Sequence, residues 1–148
     1  MILFIDCEYT GFGGDLISMA LLPLDPAGAS FYQVVVPPPT ATIDSWVADN
    51  VLPHIAGEPH ATREEFAQAL QQYLAQFEAI HLVADWPEDI ALFCMALLTG
   101  PGMRIDTPPL TMEVRRDIDT ELSAVPHHAY HDVVALRRSW IEATGKSE

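Results

Sequence analysis

The sequence predicts an α/β domain in which a mixed β-sheet of about five strands is flanked by α-helices. Short apolar runs rich in β-branched and aromatic residues alternate with longer stretches of helical periodicity. The first three runs are joined by short turns, which predicts an antiparallel meander. With 148 residues, 49% of them hydrophobic, the chain is long enough for one sizeable core. We expect residues 1–145 to form a single domain and residues 146–148 to form a tail.

The first third of the chain holds the predicted meander. The three strands cover residues 2–5, 16–22 and 30–36. A glycine-rich turn at residues 11–15 and a second turn at Asp25–Gly28 separate them. Three consecutive prolines, Pro37–Pro39, then end the sheet segment, because proline cannot donate a backbone hydrogen bond.

The middle of the chain predicts two helices joined by a loop. The first is capped by Thr42 or Asp44 and continues to about Leu52. The second opens on a capping box at Thr62–Glu65 and presents apolar residues on one face up to Phe77.

The second half predicts further alternation of strands and helices. A fourth strand, a helix, a fifth strand, a partly helical connection and a last helix cover residues 79–84, 90–98, 103–106, 108–122 and 130–143. Gly145 is expected to end the last helix. The strands that follow helices extend the meander into a mixed sheet.

Charge and composition exclude some classes of function. The net charge of -14 disfavours a protein that coats long DNA or RNA, although a bound metal can still recruit phosphate locally. No apolar run approaches the ~20 residues that cross a bilayer, so we expect no membrane partner and a cytoplasmic location. The two cysteines, Cys7 and Cys94, are expected to be buried free thiols.

The first strand ends in the main candidate site. Asp6 and Glu8 point to one face of that strand and Cys7 to the other, because side chains alternate. Two adjacent like charges repel each other, and a divalent cation such as Mg²⁺ or Mn²⁺ between them relieves the repulsion. A water-facing acidic pair on an edge strand is the alternative. The position at the carboxyl end of a first strand favours the metal site.

A second acidic cluster flanks the junction between the fourth strand and the next helix. Taken alone, this segment is best interpreted as a helix start. Asp85 is then the N-cap, and Asp89 is a first-turn charge stabilised by the helix dipole.

A third cluster precedes the last helix. His127 is a candidate general base, because the pKa of a neutral histidine lies near operating pH. The alternative is a polar helix start, and we interpret His128 and His131 in that way, with Asp132 favoured by the helix dipole.

In this order, the three clusters resemble the DEDDh branch of the DEDD exonuclease superfamily. The run Asp6-Cys7-Glu8-Tyr9-Thr10-Gly11 fits that family's first motif, Asp-x-Glu-x-Thr-Gly. His127 and Asp132 have the spacing of the third motif, and Asp89 best matches the second-motif aspartate, with Asp85 as a competitor.

Two further segments narrow the resemblance. Trp46–Pro53 and Ala84–Pro87 are similar to segments of a small bacterial group of 3′-5′ exoribonucleases. The resemblance implies a ribonuclease-H-like fold and hydrolysis from the 3′ end of a single-stranded nucleic acid, RNA or a short oligonucleotide, with release of 5′-mononucleotides. A homodimer is also compatible with it.

The resemblance further implies roles for individual residues. Four carboxylates would hold two divalent ions, Mg²⁺ or Mn²⁺, and these are Asp6, Glu8, Asp89 and Asp132. His127 would accept the proton of the attacking water. Tyr9 and Phe12 are candidates for stacking on a terminal base, with a core or loop role as the alternative.

Two other functions remain open from the sequence. A non-catalytic binding or scaffold domain with the same fold is suggested by the charge of -14 and by Trp46 as a surface candidate. A phosphohydrolase acting on small nucleotides would use the same ligands. The cations able to meet a phosphate backbone are Arg104, Arg115, Arg116, Arg137 and Arg138.

Overall fold

The apolar runs at the start of the chain form the predicted antiparallel meander. In the computed structural model, which describes residues 1–118 and 122–146, they are β1 (Ile2–Tyr9), β2 (Leu16–Pro23) and β3 (Phe31–Val35). β1 pairs antiparallel with β2, and β2 pairs antiparallel with β3. β1 continues past the predicted apolar run, so Asp6 and Glu8 are part of the strand itself.

The other elements build a mixed sheet with helices around it. In chain order they are α1 (Ser45–Asn50), α2 (Leu52–Ile55), β4 (His60–Ala61), α3 (Arg63–Leu74), β5 (Ile80–Ala84), α4 (Pro87–Ala96), β6 (Leu98–Gly100), β7 (Met103–Arg104), β8 (Leu110–Val114) and α5 (Ala129–Thr144). The main sheet has six strands in the order β4-β3-β2-β1-β5-β8. β5 is parallel to β1, and β8 is parallel to β5. The prediction of an α/β fold with a mixed sheet is confirmed.

Alternation along β1 divides the core between the two faces of the sheet. Leu3 and Ile5 pack with residues of α3 and α4, such as Leu70 and Phe93. Phe4 points the other way and packs with residues of α5. Asp6 and Glu8 are two and four residues after Phe4 in the same strand. Because side chains alternate between the faces of a strand, Asp6 and Glu8 lie on the same face as Phe4, which is the face covered by α5.

The helices in the middle of the chain differ in part from the prediction. Asp44, rather than Thr42, caps α1 by accepting a hydrogen bond from the backbone N–H of Trp46 at 2.8 Å. The predicted loop after Leu52 begins instead with α2, where Pro53 occupies the first turn that proline tolerates. The capping box is confirmed, with hydrogen bonds in both directions between Thr62 and Glu65.

The prediction was wrong for the strands near residue 110. Residues 110–114 were assigned to a connection, but they form β8, whose backbone follows β5 in parallel register from Leu110 to Val114. The predicted strand at 103–106 is only β7, which pairs with β6 in a separate hairpin. Its turn contains Gly102 at φ +70°, a left-handed conformation that suits glycine. β8 pairs with β5, where Ile80 lies opposite Leu110, and a local pattern does not encode a partner 30 residues away. β7, by contrast, pairs only with the neighbouring β6.

Two predictions extend beyond the described residues. The predicted partly helical connection includes residues 119–121, and the predicted tail includes residues 147–148, and both ranges lie outside the part of the chain that the structure describes. Gly145 ends α5 in a left-handed conformation, as expected.

None of the described helices is long and apolar enough to span a bilayer. Cys7 is a buried free thiol as predicted, whereas Cys94 is free but exposed, which corrects the expectation of burial.

Candidate metal centre

The fold brings five carboxylates together at one edge of the sheet. Oxygens of Asp6, Asp85 and Asp89 lie within 4.8 Å of one another, and oxygens of Asp6, Glu8 and Asp132 form a second group within the same limit. Asp6 belongs to both groups. The sequence-predicted ligands therefore converge, and both candidates for the second-motif aspartate lie beside Asp6.

Strand register and helix starts explain this convergence. Because β1 and β5 are parallel, with Phe4 opposite Val83, both strands deliver their carboxyl ends to the same edge. α4 begins directly after β5, and Asp89 is in its first turn. α5 begins at the same edge, with Asp132 in its first turn. Helix N-termini carry partial positive charge, which favours carboxylates there.

Asp89 is held by β1 rather than by its own helix. Its Oδ1 accepts a hydrogen bond from the backbone N–H of Cys7 at 3.0 Å. The N-cap of α4 is Trp86, without a side-chain capping bond, so the interpretation of Asp85 as N-cap was wrong. Asp85 directly follows β5, where its carboxylate joins the Asp6 group.

The cluster carries concentrated negative charge in a poorly solvated place. Asp6 is partly exposed as a residue, but its Oδ2 atom is buried and has no hydrogen-bond partner among the described residues. Burial, followed by repulsion from Asp89, raises the pKa of Asp6 well above its usual range. Burial and Asp132 raise the pKa of Glu8 to about 8.

The pKa of Asp89 is raised for the same reasons. Burial acts first and repulsion from Asp85 second, while the hydrogen bond from Cys7 partly opposes them. Buried like charges without a countercharge are destabilising, and a bound cation removes this cost. The orphaned Asp6 oxygen and the all-oxygen donor set therefore fit a hard divalent cation such as Mg²⁺ or Mn²⁺.

His127 lies at the rim of this cluster. Its backbone N–H donates to Asp132 Oδ2 at 2.9 Å, and its ring packs edge-on against Trp46 with centroids 4.7 Å apart. Its φ of 64° is in the left-handed region, which is uncommon for a residue other than glycine. The side chain is exposed and borders the same cavity as the carboxylates, so it is accessible from solvent.

His128 and His131 differ from the expected polar helix start. His128 is the N-cap residue of α5, but its side chain makes no capping bond and is buried. It stacks on Tyr32 at 5.1 Å, with Nε2 3.0 Å from a carboxylate oxygen of Glu58. His131 is half-buried and packs edge-on against His128 at 4.8 Å. Neither residue belongs to the carboxylate groups.

A cavity of about 760 Å³ opens onto the carboxylates, and aromatic side chains form part of its wall. The four aromatic residues that border it, besides His127, are Tyr9, Phe12, Trp46 and Trp86. Phe12 is 83% exposed and Trp46 is 51% exposed, so neither is a core residue. Tyr9 is half-buried, with its hydroxyl 3.5 Å from Glu88.

Sequence reasoning assigned no role to Trp86 or Glu88 and did not single out Arg116. One carboxylate oxygen of Glu88 accepts from Trp86 Nε1 and the other from the backbone N–H of Gly13, both at 2.8 Å. The guanidinium of Arg116 lies over the Trp86 ring, 3.8 Å from its centroid. The Trp-Pro pair at the start of α4 was the available sequence signal, but its contact with Arg116, 30 residues later, was not foreseeable.

No protein-family model matches this chain, and no curated protein matches it. The fold and the carboxylate centre therefore stand on the geometry described above.

Proposed function

We propose that this protein is a metal-dependent 3′-5′ exonuclease that acts on RNA or short oligonucleotides. The observation that carries the proposal is the shared position of Asp6, whose carboxylate belongs to two ligand groups at once. Such sharing suits two neighbouring cations, which two-metal phosphodiesterases hold ~3.5–4 Å apart.

The architecture supports the proposal at a coarser level. A three-stranded antiparallel meander continued by parallel strands, with helices on both faces, is consistent with a ribonuclease-H-like arrangement. It is also compatible with other α/β folds, so the argument rests on the carboxylates and on the motifs that Asp6, Glu8 and the His127–Asp132 segment resemble.

In this proposal the carboxylates divide into two ligand sets. Glu8 and Asp132 join Asp6 at one set, and Asp89 or Asp85 joins it at the other. Bound divalent cations would orient the substrate phosphate and stabilise charge on the attacking and leaving oxygens.

His127 takes the proton of the attacking water in this proposal. Its backbone bond to Asp132 fixes the segment next to the metal ligands, and its exposed ring faces the cavity. The water oxygen then forms a bond to phosphorus while the bond to the 3′-oxygen of the preceding nucleotide breaks. That 3′-oxygen takes up a proton from solvent, and a 5′-mononucleotide is released.

The charge distribution limits the substrate that this site would accept. The net charge of -14 opposes long-range attraction to a polyanion, so affinity must come from the cations and a few local contacts. A short single strand carries few phosphates and therefore meets this requirement better than a long duplex. The cavity of about 760 Å³ is within the range of roughly 300–1,000 Å³ that holds small ligands.

The test is stepwise digestion of a 5′-labelled RNA heptamer with Mn²⁺ or Mg²⁺. We expect a ladder that shortens from the 3′ end, that EDTA abolishes, and that Asp6→Asn reduces by at least about 10³-fold, since the substitution replaces the negatively charged oxygens shared by both groups with a neutral amide. Asp106→Asn is the matched control, because Asp106 is an exposed aspartate outside the cavity.

Two outcomes would contradict the proposal. One is the absence of metal-dependent shortening, and the other is equal activity in Asp6→Asn and Asp106→Asn. Parallel reactions with dinucleotides and mononucleotides distinguish an exonuclease from a phosphohydrolase of small nucleotides. A parallel reaction with single-stranded DNA tests whether the enzyme prefers RNA, which differs from DNA by its 2′-hydroxyl group.

A further inference from the structure

The wall of the cavity has a strongly uneven charge. Six carboxylates of the described residues border it, and these are Asp6, Glu8, Asp44, Asp85, Asp89 and Asp132. Among the described residues that line it there is no lysine or arginine. The carboxylates repel a nucleic-acid phosphate beside this wall unless a bound cation or a positively charged side chain lies near that phosphate.

Arg116 supplies a cation in contact with one wall residue. Its guanidinium lies 3.8 Å from the centroid of Trp86, and one N–H group donates to the backbone oxygen of Asp85 at 3.2 Å. A guanidinium has five N–H donors, so others can meet a phosphate. Arg115, by contrast, is engaged by Asp117 at 2.8 Å and lies 3.7 Å from Glu113.

Phe12 supplies an open aromatic face beside the same pair. Its ring centroid is 6.4 Å from that of Trp86, with the planes tilted by 46°. Two stacking contacts of about 3.5 Å each would need about 7 Å between parallel rings, so a base does not fit between them. A side chain that is 83% exposed leaves its outer face free for stacking.

Glu88 fixes this arrangement before any ligand arrives. It accepts hydrogen bonds from Trp86 Nε1 and from the backbone N–H of Gly13, next to Phe12. One carboxylate therefore joins the turn after β1 to the start of α4. Contacts that are already ordered lose less conformational entropy on binding.

We propose that Arg116, stacked on Trp86, and the exposed ring of Phe12 form a subsite for one nucleotide of a single-stranded substrate. The guanidinium binds the phosphate, and the base stacks on Phe12. The inference rests on the proposed function, since the subsite adjoins the carboxylates that would hold the scissile phosphate. It adds a specificity for stacked single strands with at least one nucleotide beyond the one that is released.

The first test measures equilibrium binding of a labelled tetra-adenylate with phosphorothioate linkages, in the presence of Ca²⁺. We expect Arg116→Ala to raise Kd about tenfold and to lower the slope of log Kd against log salt by about 0.7, which corresponds to one lost phosphate contact. Arg116→Lys should keep the slope but not the full affinity, because lysine lacks the planar group that stacks. Arg138→Ala is the control, since Arg138 is an exposed arginine near Glu142 on α5.

The second test uses Phe12→Ala against Phe12→Tyr. Loss of one stacked base predicts a weakening of about five- to a hundredfold for alanine, while tyrosine retains the ring. Phe12 and Arg116 are both exposed, so these substitutions leave the core intact. In turnover experiments, Arg116→Ala should raise KM with little change in kcat, because the guanidinium does not contact the reacting atoms.

The outcomes separate this inference from the proposed function. The subsite is overturned if Arg116→Ala has the same Kd and salt slope as Arg138→Ala. It is also overturned if Phe12→Ala has the same Kd as Phe12→Tyr. Both conclusions hold even when the wild type hydrolyses RNA with metal. If the wild type hydrolyses no RNA, the proposed exonuclease fails, while an Arg116-dependent Kd and salt slope would still support the subsite as a nucleotide-binding element.

Discussion

The backbone N–H of Cys7 donates a hydrogen bond to Asp89 Oδ1 at 3.0 Å, across 82 positions of the chain. This bond joins β1 to the first turn of α4 at the centre of the acidic cluster. It also gives Asp89 a structural role that is separable from any role as a metal ligand. An amide in place of this carboxylate keeps an acceptor but loses the charge.

Asp89→Asn and Asp89→Ala should therefore differ in stability. Asparagine can still accept from Cys7 N–H and removes a repelling charge, so the metal-free protein should be at least as stable as wild type. Alanine leaves a buried N–H without its partner, which costs about 1–3 kcal/mol. Urea unfolding of the metal-free proteins measures this difference. Equal destabilisation by both substitutions would contradict the role of the bond.

The stability of the metal-free protein should fall as pH rises from about 4.5 to about 8. The pKa of Glu8 is raised from 4.5 to about 8 in the folded protein, so the folded state holds a proton that the unfolded state has released. Because the folded state binds more protons in this window, the free energy of unfolding falls by up to about 1.4 kcal/mol per pH unit for that group. The raised pKa values of Asp6 and Asp89 act in the same direction.

Urea unfolding in EDTA between pH 5 and pH 8 checks this window. Glu8→Gln should flatten the dependence, and saturating Mn²⁺ at pH 8 should restore the lost stability. A metal-free protein that gains stability over the same range would refute the assignment of buried, mutually repelling carboxyl groups.

His127→Asn should separate proton transfer from metal binding. Asparagine tolerates the left-handed backbone at φ 64° and retains the N–H that donates to Asp132, but it cannot act as the base. We expect kcat to fall by about 10²–10⁴-fold while Mn²⁺ affinity stays within a few-fold of wild type. Rapid-mixing kinetics and metal titration measure the two quantities. Unchanged kcat would exclude His127 as the base.

The sequence predicted the first three strands and the shared face of Asp6 and Glu8 for physical reasons, whereas the convergence of Asp89 and Asp132 on them was implied by the family resemblance. Side chains alternate along a strand, so Asp6 and Glu8 lie on one face of β1. Asp85 directly follows β5, which runs parallel to β1. The prediction failed where distant partners decide the structure. β8 is a strand because β5 pairs with it, and the Trp86–Arg116 contact depends on the path of the intervening chain.

Calorimetric titration of the metal-free protein with Mn²⁺ tests the shared role of Asp6 most directly. We expect wild type and Asp106→Asn to bind two ions per chain, because Asp6 joins two carboxylate groups. Asp6→Asn should lose both sites or keep only one weakened site. Wild-type protein that binds no Mn²⁺ at millimolar concentration, or an Asp6→Asn variant that binds Mn²⁺ as wild type does, would contradict the metal centre.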